Sequence, residues 1–427
     1  MVFQEKNMFF LVLICAFQLN AQTNIKTMFY NTLNYNSDVD SRNRTHHLQT
    51  ILEDVQPDLF LICEIKNEAA SNHLYVNAVL PYKESFRKAP FFYSKSPATG
   101  LMQMAYYNSE KLILENTSVI PTETRDINHY TFKINTNNAD INPIRIEVFV
   151  THLKASRGEA NRLKRYASSI SFTRELNNLP KNSYVLFAGD FNFYTSNEEG
   201  FLNIIRTSNP INIVDPIDRL CPNFPVDGKD YFDENNYNST YFWNKSSFAD
   251  VHSQSTRSYQ LNNDGAGGGM DDRFDFIMMS ENFKTNSNLY YVNDSYKAVG
   301  NNGNCYNSYV SNSNCNGSFS QELRNALYQF SDHLPIVMNI ETPQNTLSIQ
   351  EKNNSTSFLK SNIISNYLTL KMTEKVNSII IYNQLGQIVF KTNNINTNEL
   401  EIDTNTFSKG VHYLKADSSK PLKFVKI

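Results

Sequence analysis

The sequence has little of several features that assign a chain to a class by composition alone. Its 427 residues include only 14 Gly and 14 Pro, which excludes collagen-like and Gly/Pro-rich repeats. Charged residues make up 19%, too few for a coiled coil, and the balance of 39 Lys+Arg against 42 Asp+Glu excludes a strongly basic nucleic-acid coat. Beyond the N-terminus, no apolar run approaches the roughly 20 residues that span a bilayer. The 40% of hydrophobic residues predicts a soluble protein with a sizeable core.

The first 21 residues predict an export signal. Lys6 precedes an apolar run over residues 8–17, and Ala21 stands in a suitable −1 position for cleavage. The run has about ten residues against the roughly 20 of a membrane span, which leaves a buried first strand or helix as the alternative. Cleavage near Ala21 would remove Cys15 and produce a secreted or cell-surface protein.

Cysteine is scarce in the mature chain. The remaining cysteines are Cys63, Cys221, Cys305 and Cys315. In an exported chain they suggest a disulfide, and a bridge between Cys305 and Cys315 would restrict the polar loop between them, although the sequence leaves its formation open. Cys63 lies in the apolar run LFLIC and is predicted to be a small core residue. Because the sequence has no C-x-x-C pair or Cys/His cluster, we expect no zinc site.

The composition changes near residue 341. Residues 342–357 lack a hydrophobic period and predict a linker, whereas residues 358–427 contain short β-like runs that predict a small β-sandwich. The runs SIIIYNQLGQIVF, ELEIDTNTFSKGVHYLK and KFVKI resemble, in this order, the C-terminal sorting domain of the type IX secretion system. In such a domain Gly386 and Gly410 fit positions that need a positive φ, and the partner is the type IX secretion machinery. A generic immunoglobulin-like interaction module is the alternative.

Residues 22–341 alternate strand-like and helix-like stretches. The strand-like runs are short and rich in β-branched or aromatic residues, and they read IKTMFYN, DLFLICE, LMQMAYYN, IRIEVFVTHL, YVLFAGDFN, RFDFIMMS and PIVMNI. Helix-like stretches cover residues 41–54 and 158–178. The pattern predicts a mixed α/β or α+β domain and indicates no activity by itself.

Chemically active side chains collect at the ends of these runs, where rigid elements can present them to a shared cleft. They are Asn31, Glu64, His152, Asp190, Asn192, Asp275, Asp332 and His333. Any one of them fits an ordinary turn, since Asp and Asn commonly follow strands. A set of this size with two histidines predicts a functional cleft.

Six short motifs in this region resemble those of the deoxyribonuclease I-like endonuclease/exonuclease/phosphatase superfamily. They are YNTLN (30–34), LICEIKN (61–67), THLKAS (151–156), GDFNF (189–193), DRFDFI (272–277) and SDHLPI (331–336). The resemblance covers nearly all of residues 24–341. It implies a four-layer sandwich of two mixed β-sheets flanked by helices, with the active site at one end of the sheets. The predicted fold class is therefore α/β (α+β) with a small C-terminal β-sandwich.

The resemblance and the chemistry of phosphodiester hydrolysis together imply a metal side of the site. Glu64 is the best ligand, because a hard carboxylate suits Mg²⁺, or Mn²⁺ or Ca²⁺ in its place. Asn31 would assist at the metal or at a bound water, and Asp332 is a possible second ligand. Asn34 is a weaker candidate, since relatives commonly carry an acid in this stretch.

The same reasoning implies a general base. His333 would activate the attacking water, with Asp275 accepting a hydrogen bond from its other ring nitrogen. Asp190 and Asn192 would orient the nucleophile and contact the phosphate. His152 would contact the phosphate or act as acid toward the leaving oxygen.

Two further features near the motifs have open roles. Arg273 either shapes the site or anchors its strand. The Gly-rich stretch DGAGGGMD (264–271) is not a phosphate-binding loop, because it lacks the Lys–Ser/Thr ending and the strand–loop–helix context.

A basic stretch beside His152 favours nucleic acid as the substrate. Residues 151–175 contain six cations, Lys154, Arg157, Arg162, Lys164, Arg165 and Arg174, against Glu159 and Glu175, a net charge of +4. Clustered cations bind phosphate backbones without sequence preference, so Arg162 and Arg165 are predicted substrate contacts. A solvated helix face with ordinary charges is the alternative.

The sequence thus predicts a secreted, metal-dependent phosphodiesterase, with a nuclease as the first choice. We expect a monomer without stable membrane insertion. A sphingomyelinase-like or inositol-phosphate phosphoesterase is the first alternative, because the superfamily includes both. A secreted binding protein that has lost catalysis is the second, although the intact set of acids, amides and histidines argues against it.

Overall fold

The computed structural model describes residues 22–36, 44–95, 100–237, 239–346, 357–359, 361–372, 376–393, 395, 397–417 and 421–427. The chain divides into two compact units, Met1–Leu347 and Ser348–Ile427. The predicted export signal lies outside the described residues, as do residues 347–356 of the predicted linker. Among the described residues, no helix is long and apolar enough to span a membrane.

The first unit contains most of the described strands and all of the labelled helices. Its strands are β1 (Thr23–Tyr35), β2 (Leu59–Ile65), β3 (Phe86–Lys88), β4 (Met102–Asn108), β5 (Leu112–Ile120), β6 (Ile127–Ile134), β7 (Arg145–His152), β8 (Tyr184–Asp190), β9 (Ile213–Val214), β10 (Asp275–Ser280), β11 (Tyr290–Tyr291), β12 (Lys297–Ala298) and β13 (Ile336–Thr342). Its helices are α1 (Thr45–Val55), α2 (Glu68–Leu74), α3 (Leu80–Tyr82), α4 (Glu159–Glu175), α5 (Glu199–Ile204), α6 (Asn282–Thr285) and α7 (Gln321–Phe330).

These strands form two mixed sheets. One has the order β11-β13-β1-β2-β4-β3, with β12 also paired to β13, and the other has the order β5-β6-β7-β8-β10-β9. Each sheet has a parallel pair near its centre, β1 with β2 and β7 with β8, flanked by antiparallel neighbours.

The two sheets pack face to face because apolar side chains alternate along their strands. On β7, Val148 and Val150 join the core between the sheets, whereas Phe149 points to the other face and packs against Phe172 of α4. Helices α4 and α5 cover that outer face. Helices α1 and α7 pack against the first sheet, where Phe330 meets Tyr30 of β1 at 5.2 Å between ring centroids. The predicted four-layer sandwich is confirmed.

The second unit is a β-sandwich. Its strands are β14 (Ser357–Leu359), β15 (Ile363–Ile364), β16 (Tyr367–Met372), β17 (Ser378–Asn383), β18 (Ile388–Asn393), β19 (Glu399–Asp403), β20 (Gly410–Ala416) and β21 (Leu422–Lys426). They form a three-stranded sheet, β14-β16-β19, and a five-stranded sheet, β15-β21-β20-β17-β18, which share one apolar core. Gly386 and Gly410 have φ of +76° and +127°, the conformation predicted for them.

Cysteine placement follows burial and loop closure. Cys63 is fully buried in β2, as predicted, and Cys221 is a second buried free thiol. Cys305 and Cys315 form a disulfide that closes the loop between β12 and α7.

Candidate active site

The predicted site residues meet at one edge of the sandwich because of strand direction. Asn31, Glu64, His152 and Asp190 lie toward the C-terminal ends of β1, β2, β7 and β8. Strands β10 and β13 run antiparallel to β8 and β1, so their N-terminal ends lie at the same edge. Asp275 begins β10, directly opposite Asp190, while Asp332 and His333 precede β13.

The backbone at this edge is strained. Leu33, Asn34, Glu64 and Asn192 have φ of +47°, +49°, +61° and +52°. Asn tolerates this left-handed region, but Leu and Glu do so at a cost of roughly 1–3 kcal/mol each. Such strain persists only where surrounding contacts fix the conformation, and here it coincides with irregular strand pairing at the ends of β1 and β2.

Asn31 links the acids of the two sheets. Its side-chain Nδ2 donates hydrogen bonds of 3.0 Å to both Glu64 Oε1 and Asp190 Oδ2. The backbone N–H of Asn34 donates to the other oxygen of Glu64, Oε2, at 2.9 Å. Burial raises the pKa of Glu64, and the nearby Asp332 adds to the shift, while the Asn31 hydrogen bond opposes it.

His333 and Asp275 form a buried pair. His333 Nδ1 lies 2.7 Å from Asp275 Oδ2, which also accepts a 2.7 Å hydrogen bond from Ser253 Oγ. Burial alone would lower the pKa of His333, but the carboxylates of Asp275, Asp332 and Asp190 outweigh it and hold that pKa well above its ordinary value. The ring is thus fixed by Nδ1, and its Nε2 faces the cleft.

Asp190 occupies the centre of the cluster. Its Oδ2 lies 3.7 Å from His333 Nε2 and 3.6 Å from His152 Nε2, and its Oδ1 accepts a 3.1 Å hydrogen bond from the Asn192 backbone N–H. Burial raises the pKa of Asp190 to about 8; His333 opposes the shift, and Asp275 and Glu64 add to it.

His152 has a different environment from His333. Its Nε2 lies 3.7 Å from Glu64 Oε1, while its buried Nδ1 has no hydrogen-bond partner among the described residues. Burial lowers the pKa of His152 well below its ordinary value, and the cation of Arg125 adds to the effect. His152 is therefore a neutral imidazole at neutral pH.

The donor set fits a hard divalent cation. Glu64, His152 and Asp190 each present a ligand atom within 4.8 Å of the others, as do Asp190, Asp275 and His333. The described residues place no Lys or Arg within 4.0 Å of the Glu64, Asp190 or Asp332 carboxylates, so the nearest titratable partners of these acids are His152 and His333. Carboxylate oxygens are the ligands that Mg²⁺ prefers. Asp332 belongs to neither group, but its buried Oδ1 has no hydrogen-bond partner among the residues that the structure describes.

Sequence reasoning missed three residues of the site. Gln254 Nε2 lies 2.6 Å from His333 Nε2 and 3.2 Å from Asp332 Oδ2, and its neighbour Ser253 binds Asp275. Arg125 Nη1 donates to the carbonyl of Leu153, next to His152, at 2.8 Å. These residues lie in segments without hydrophobic period or a recognisable motif, so no local signal marks them.

The structure corrects one of the two predicted substrate contacts on α4. Arg165 is fully buried, where its Nε donates to Glu198 at 2.8 Å, so its predicted contact with substrate is wrong. Arg162 is committed to an ion pair with Glu199 at 3.1 Å, and its guanidinium stacks 3.8 Å from the ring centroid of Phe232. The net charge of α4 therefore overstates the cations available to a ligand.

Two other arginines have clear positions. Arg273 is buried and makes hydrogen bonds of 2.8 and 2.9 Å to both carboxylate oxygens of Asp215, so it anchors β10. Arg157 is exposed at the start of α4, with its guanidinium 4.5 Å from the ring centroid of Tyr237 and 5.1 Å from that of Tyr194.

Comparison with known families identifies the second unit. Residues 362–427 match the family model described as "Secretion system C-terminal sorting domain". This type IX sorting domain indicates secretion or export to the cell surface. The comparison with curated proteins gave no match.

The solved structures that resemble the chain include an endonuclease/exonuclease/phosphatase family protein from Bacteroides thetaiotaomicron, at 12% identity and a TM-score of 0.45, covering 75% of this chain and 99% of that one. A second is the human nocturnin catalytic domain with bound sulfate, at 14% identity and a TM-score of 0.44, covering 75% of this chain and 97% of that one. A third is D. rerio TDP2 complexed with a single-strand DNA product, at 12% identity and a TM-score of 0.45, covering 75% of this chain and 100% of that one. At these identities the likeness concerns the fold alone.

Proposed function

We propose that this exported chain is a metal-dependent phosphodiesterase that hydrolyses nucleic acid. The observation that carries the proposal is the buried His333–Asp275 pair, whose other ring nitrogen, Nε2, lies 3.7 Å from Asp190 Oδ2 within a cluster of carboxylates. A base aimed at a carboxylate-rich cleft has the geometry for activating water beside a charged substrate.

His333 is the general base. Asp275 accepts a hydrogen bond from Nδ1–H at 2.7 Å, so the neutral ring has its lone pair on Nε2. The Gln254 amide, 2.6 Å away, donates to this lone pair, and the attacking water would take its place. A water attacking phosphorus gives its proton to Nε2, and the resulting imidazolium is stabilised by Asp275. Asp190, 3.7 Å from Nε2, orients this water.

The phosphate is bound by groups on the other side of Asp190. His152 is neutral, and a neutral imidazole can donate one hydrogen bond to a phosphate oxygen without adding charge. Asn192 is held by its own backbone hydrogen bond to Asp190, which places its side chain at the same edge. We assign His152 to phosphate contact rather than to proton donation, because its lowered pKa leaves it unprotonated at neutral pH.

Glu64 is the primary ligand for the cation, with Asn31 and Asp332 as the further proposed ligands. A bound Mg²⁺, or Mn²⁺ or Ca²⁺, would neutralise charge on the phosphate oxygens and on the leaving oxygen. Asn31 fixes the positions of the Glu64 and Asp190 carboxylates relative to each other, because its side-chain amide donates a hydrogen bond to both.

Arg157 favours a polynucleotide as the substrate. Its guanidinium lies between two tyrosine rings and makes no hydrogen bond or ion pair within the described part of the chain. Burial and the neighbouring Asp271 raise the pKa of Asp272 to about 8, while Arg157 and His333 oppose the shift, so both cations lie within electrostatic range of one carboxylate. An exposed guanidinium that two aromatic rings orient, and that acts on the same carboxylate as the base, can bind a phosphate adjacent to the one being cleaved.

The test compares substrates with one and with several phosphates. We expect hydrolysis of DNA or RNA oligonucleotides in Mg²⁺ and none in EDTA, with sphingomyelin and inositol phosphates turned over more slowly. Arg157→Ala should raise the oligonucleotide KM about tenfold. The slope of log KM against log salt concentration should fall by about one, the value expected for the loss of one phosphate contact. Hydrolysis of bis(p-nitrophenyl) phosphate, which has a single phosphate, should fall far less.

Arg174→Ala is the matched control, because Arg174 is also exposed and lies about 22 Å from the first residue of α4 at 1.5 Å per residue, whereas Arg157 precedes this helix. It removes the same charge and should leave the salt dependence unchanged. Faster cleavage of sphingomyelin or inositol phosphates than of oligonucleotides would overturn the nucleic-acid assignment, and absence of hydrolysis on every substrate would overturn the enzymatic one.

A further inference from the structure

Residues 255–269 form a hairpin that borders the site, here called the active-site hairpin. Three backbone hydrogen bonds join its two arms. The Ser255 N–H donates to the Gly269 carbonyl at 2.9 Å, and the Gly269 N–H donates to the Arg257 carbonyl at 2.9 Å. The Gly268 N–H donates to the Ser258 carbonyl at 3.0 Å. The hairpin carries the Gly-rich stretch and immediately follows Gln254, which contacts the base. Two of its residues, Asp264 and Ala266, contact side chains of the cleft.

One contact of the hairpin fixes Asp332. The Ala266 backbone N–H donates to Asp332 Oδ2 at 2.6 Å, and Gln254 Nε2 donates to the same oxygen at 3.2 Å. The other oxygen, Oδ1, is buried, has no hydrogen-bond partner in the described part of the chain and lies 4.0 Å from His333 Nε2. The hairpin thus occupies one oxygen of this carboxylate and leaves the other available.

A second contact reaches Glu64 through Asn34. Asp264 Oδ1 accepts a 2.9 Å hydrogen bond from Asn34 Nδ2, and the Asn34 backbone N–H donates to Glu64 Oε2 at 2.9 Å. Asn34 stands at φ +49°, so this bridge also supports a strained residue. Glu64 Oε1 remains on the side of Asn31 and His152.

Gly265 makes the fit of the hairpin specific. Its φ is +80°, and an added Cβ would lie 2.9 Å from Asp332 Cγ, 3.0 Å from its Oδ2 and 3.1 Å from Leu33 Cδ1. Gly268 has a similar backbone demand at φ +106° but nothing within 4 Å of an added Cβ. A side chain at either glycine would strain the backbone, but only a side chain at Gly265 would also press on Asp332. Comparing the two substitutions therefore distinguishes backbone strain from displacement of the acid.

We propose that the active-site hairpin positions the cation ligands, holding Asp332 directly and Glu64 through Asn34, so that one oxygen of each would be available to a cation. The inference rests on the metal site of the proposed function. Groups that orient a ligand in this way typically change metal affinity by about 10- to 100-fold when they are lost.

The experiment measures Mg²⁺ and Mn²⁺ binding by titration calorimetry on the full chain, without substrate. Gly265→Ala should weaken the cation Kd by about 10- to 100-fold. Gly268→Ala, the matched control, should change it less than about threefold while losing comparable thermal stability in EDTA. A Gly268→Ala effect as large as that of Gly265→Ala would mean that strain alone is responsible, and would overturn the proposal.

Asp264 gives an independent route if Gly265→Ala does not fold. Asp264→Ala should weaken cation binding, and Asp264→Asn, which keeps an acceptor oxygen for Asn34, should recover most of the affinity. Equal, wild-type affinities in both variants would overturn the positioning role through Asn34.

The two levels of the account fail differently. Wild-type protein that binds the cation, together with Gly265→Ala protein that binds it as tightly, removes the hairpin inference and leaves the proposed function intact. Wild-type protein that binds neither Mg²⁺ nor Mn²⁺ at millimolar concentration removes the metal dependence on which both rest.

Discussion

At the scale of single residues, the site depends on how each buried ionisable group is compensated. Asp275 is fully buried, and its Oδ2 is shared by His333 and Ser253 at 2.7 Å each. Removing one partner of such a buried pair leaves an uncompensated charge, which costs more than the pair contributes. His333 and Asp275 should therefore act as one functional unit.

The first prediction concerns this unit. His333→Ala should lower kcat on the order of 10²–10⁴-fold, the usual contribution of general acid–base catalysis. Asp275→Asn should also be slow, and the double variant should be little slower than His333→Ala, because residues acting together are not additive. Steady-state kinetics on an oligonucleotide measures all three. Losses that multiply independently would reassign His333 to phosphate contact.

A pH profile tests the electrostatics of the same pair. In the proposed mechanism the neutral form of His333 is the base, so the rate should rise with pH through a pKa above the ordinary histidine value. Asp275 favours the imidazolium and so raises this pKa; Asp275→Asn should move the rising limb to lower pH while reducing the maximum rate. An unmoved limb in Asp275→Asn would show that the limb reports another group.

At the scale of secondary-structure elements, strand direction explains why much of the site could be predicted. Motifs at strand ends converge on one edge, so Glu64, Asp190 and His333 could be grouped from their positions in the sequence. The rest depends on irregular segments whose placement is set by tertiary contacts. Gln254 and the active-site hairpin lie in the long connection between β9 and β10, where no hydrophobic period constrains the chain.

Helix α4 shows a second limit of sequence reasoning. The cations along α4 are visible in the sequence, but their partners are not. Glu198, which neutralises Arg165, lies 33 positions along the chain, and Glu199 neutralises Arg162. Charge along a helix predicts a ligand contact only for side chains that lack such partners, and this is the case for Arg157.

The disulfide loop provides a prediction about stability. Within the loop that Cys305 and Cys315 close, Ser308 accepts a 3.0 Å hydrogen bond from Met270, and Val310 donates one of 2.9 Å to Thr256 at the base of the active-site hairpin. By loop entropy, the double variant Cys305→Ser/Cys315→Ser should lose about 3 kcal/mol of unfolding free energy.

Denaturant unfolding in EDTA measures this loss. Dithiothreitol should destabilise the wild type by a similar amount and leave the double variant unchanged. Equal stability of the oxidised wild type and the double variant would show that the bridge does not support the fold.

At the scale of the whole molecule, the chain combines the unit with the proposed active site and a sorting unit. Every proposed site residue lies in Met1–Leu347, whereas the sorting-domain match covers residues 362–427. Deleting residues 348–427 should retain kcat and KM within about twofold and abolish export in a host with the type IX system. The cut keeps Thr346, which pairs with Thr136 in the first unit. A folded truncation without activity would mean that the second unit contributes to the site.

The most direct test of the central claim is cleavage of one oligonucleotide as a function of Mg²⁺ concentration, by wild type and by Glu64→Gln. Glu64→Gln keeps the size of the side chain but removes the hard carboxylate ligand. The account predicts no cleavage in EDTA, saturable activation of the wild type by Mg²⁺, and a Glu64→Gln curve shifted to at least about tenfold higher Mg²⁺ with a lower maximum. Cleavage by Glu64→Gln with an unchanged Mg²⁺ curve, or wild-type cleavage that persists in EDTA, would contradict it.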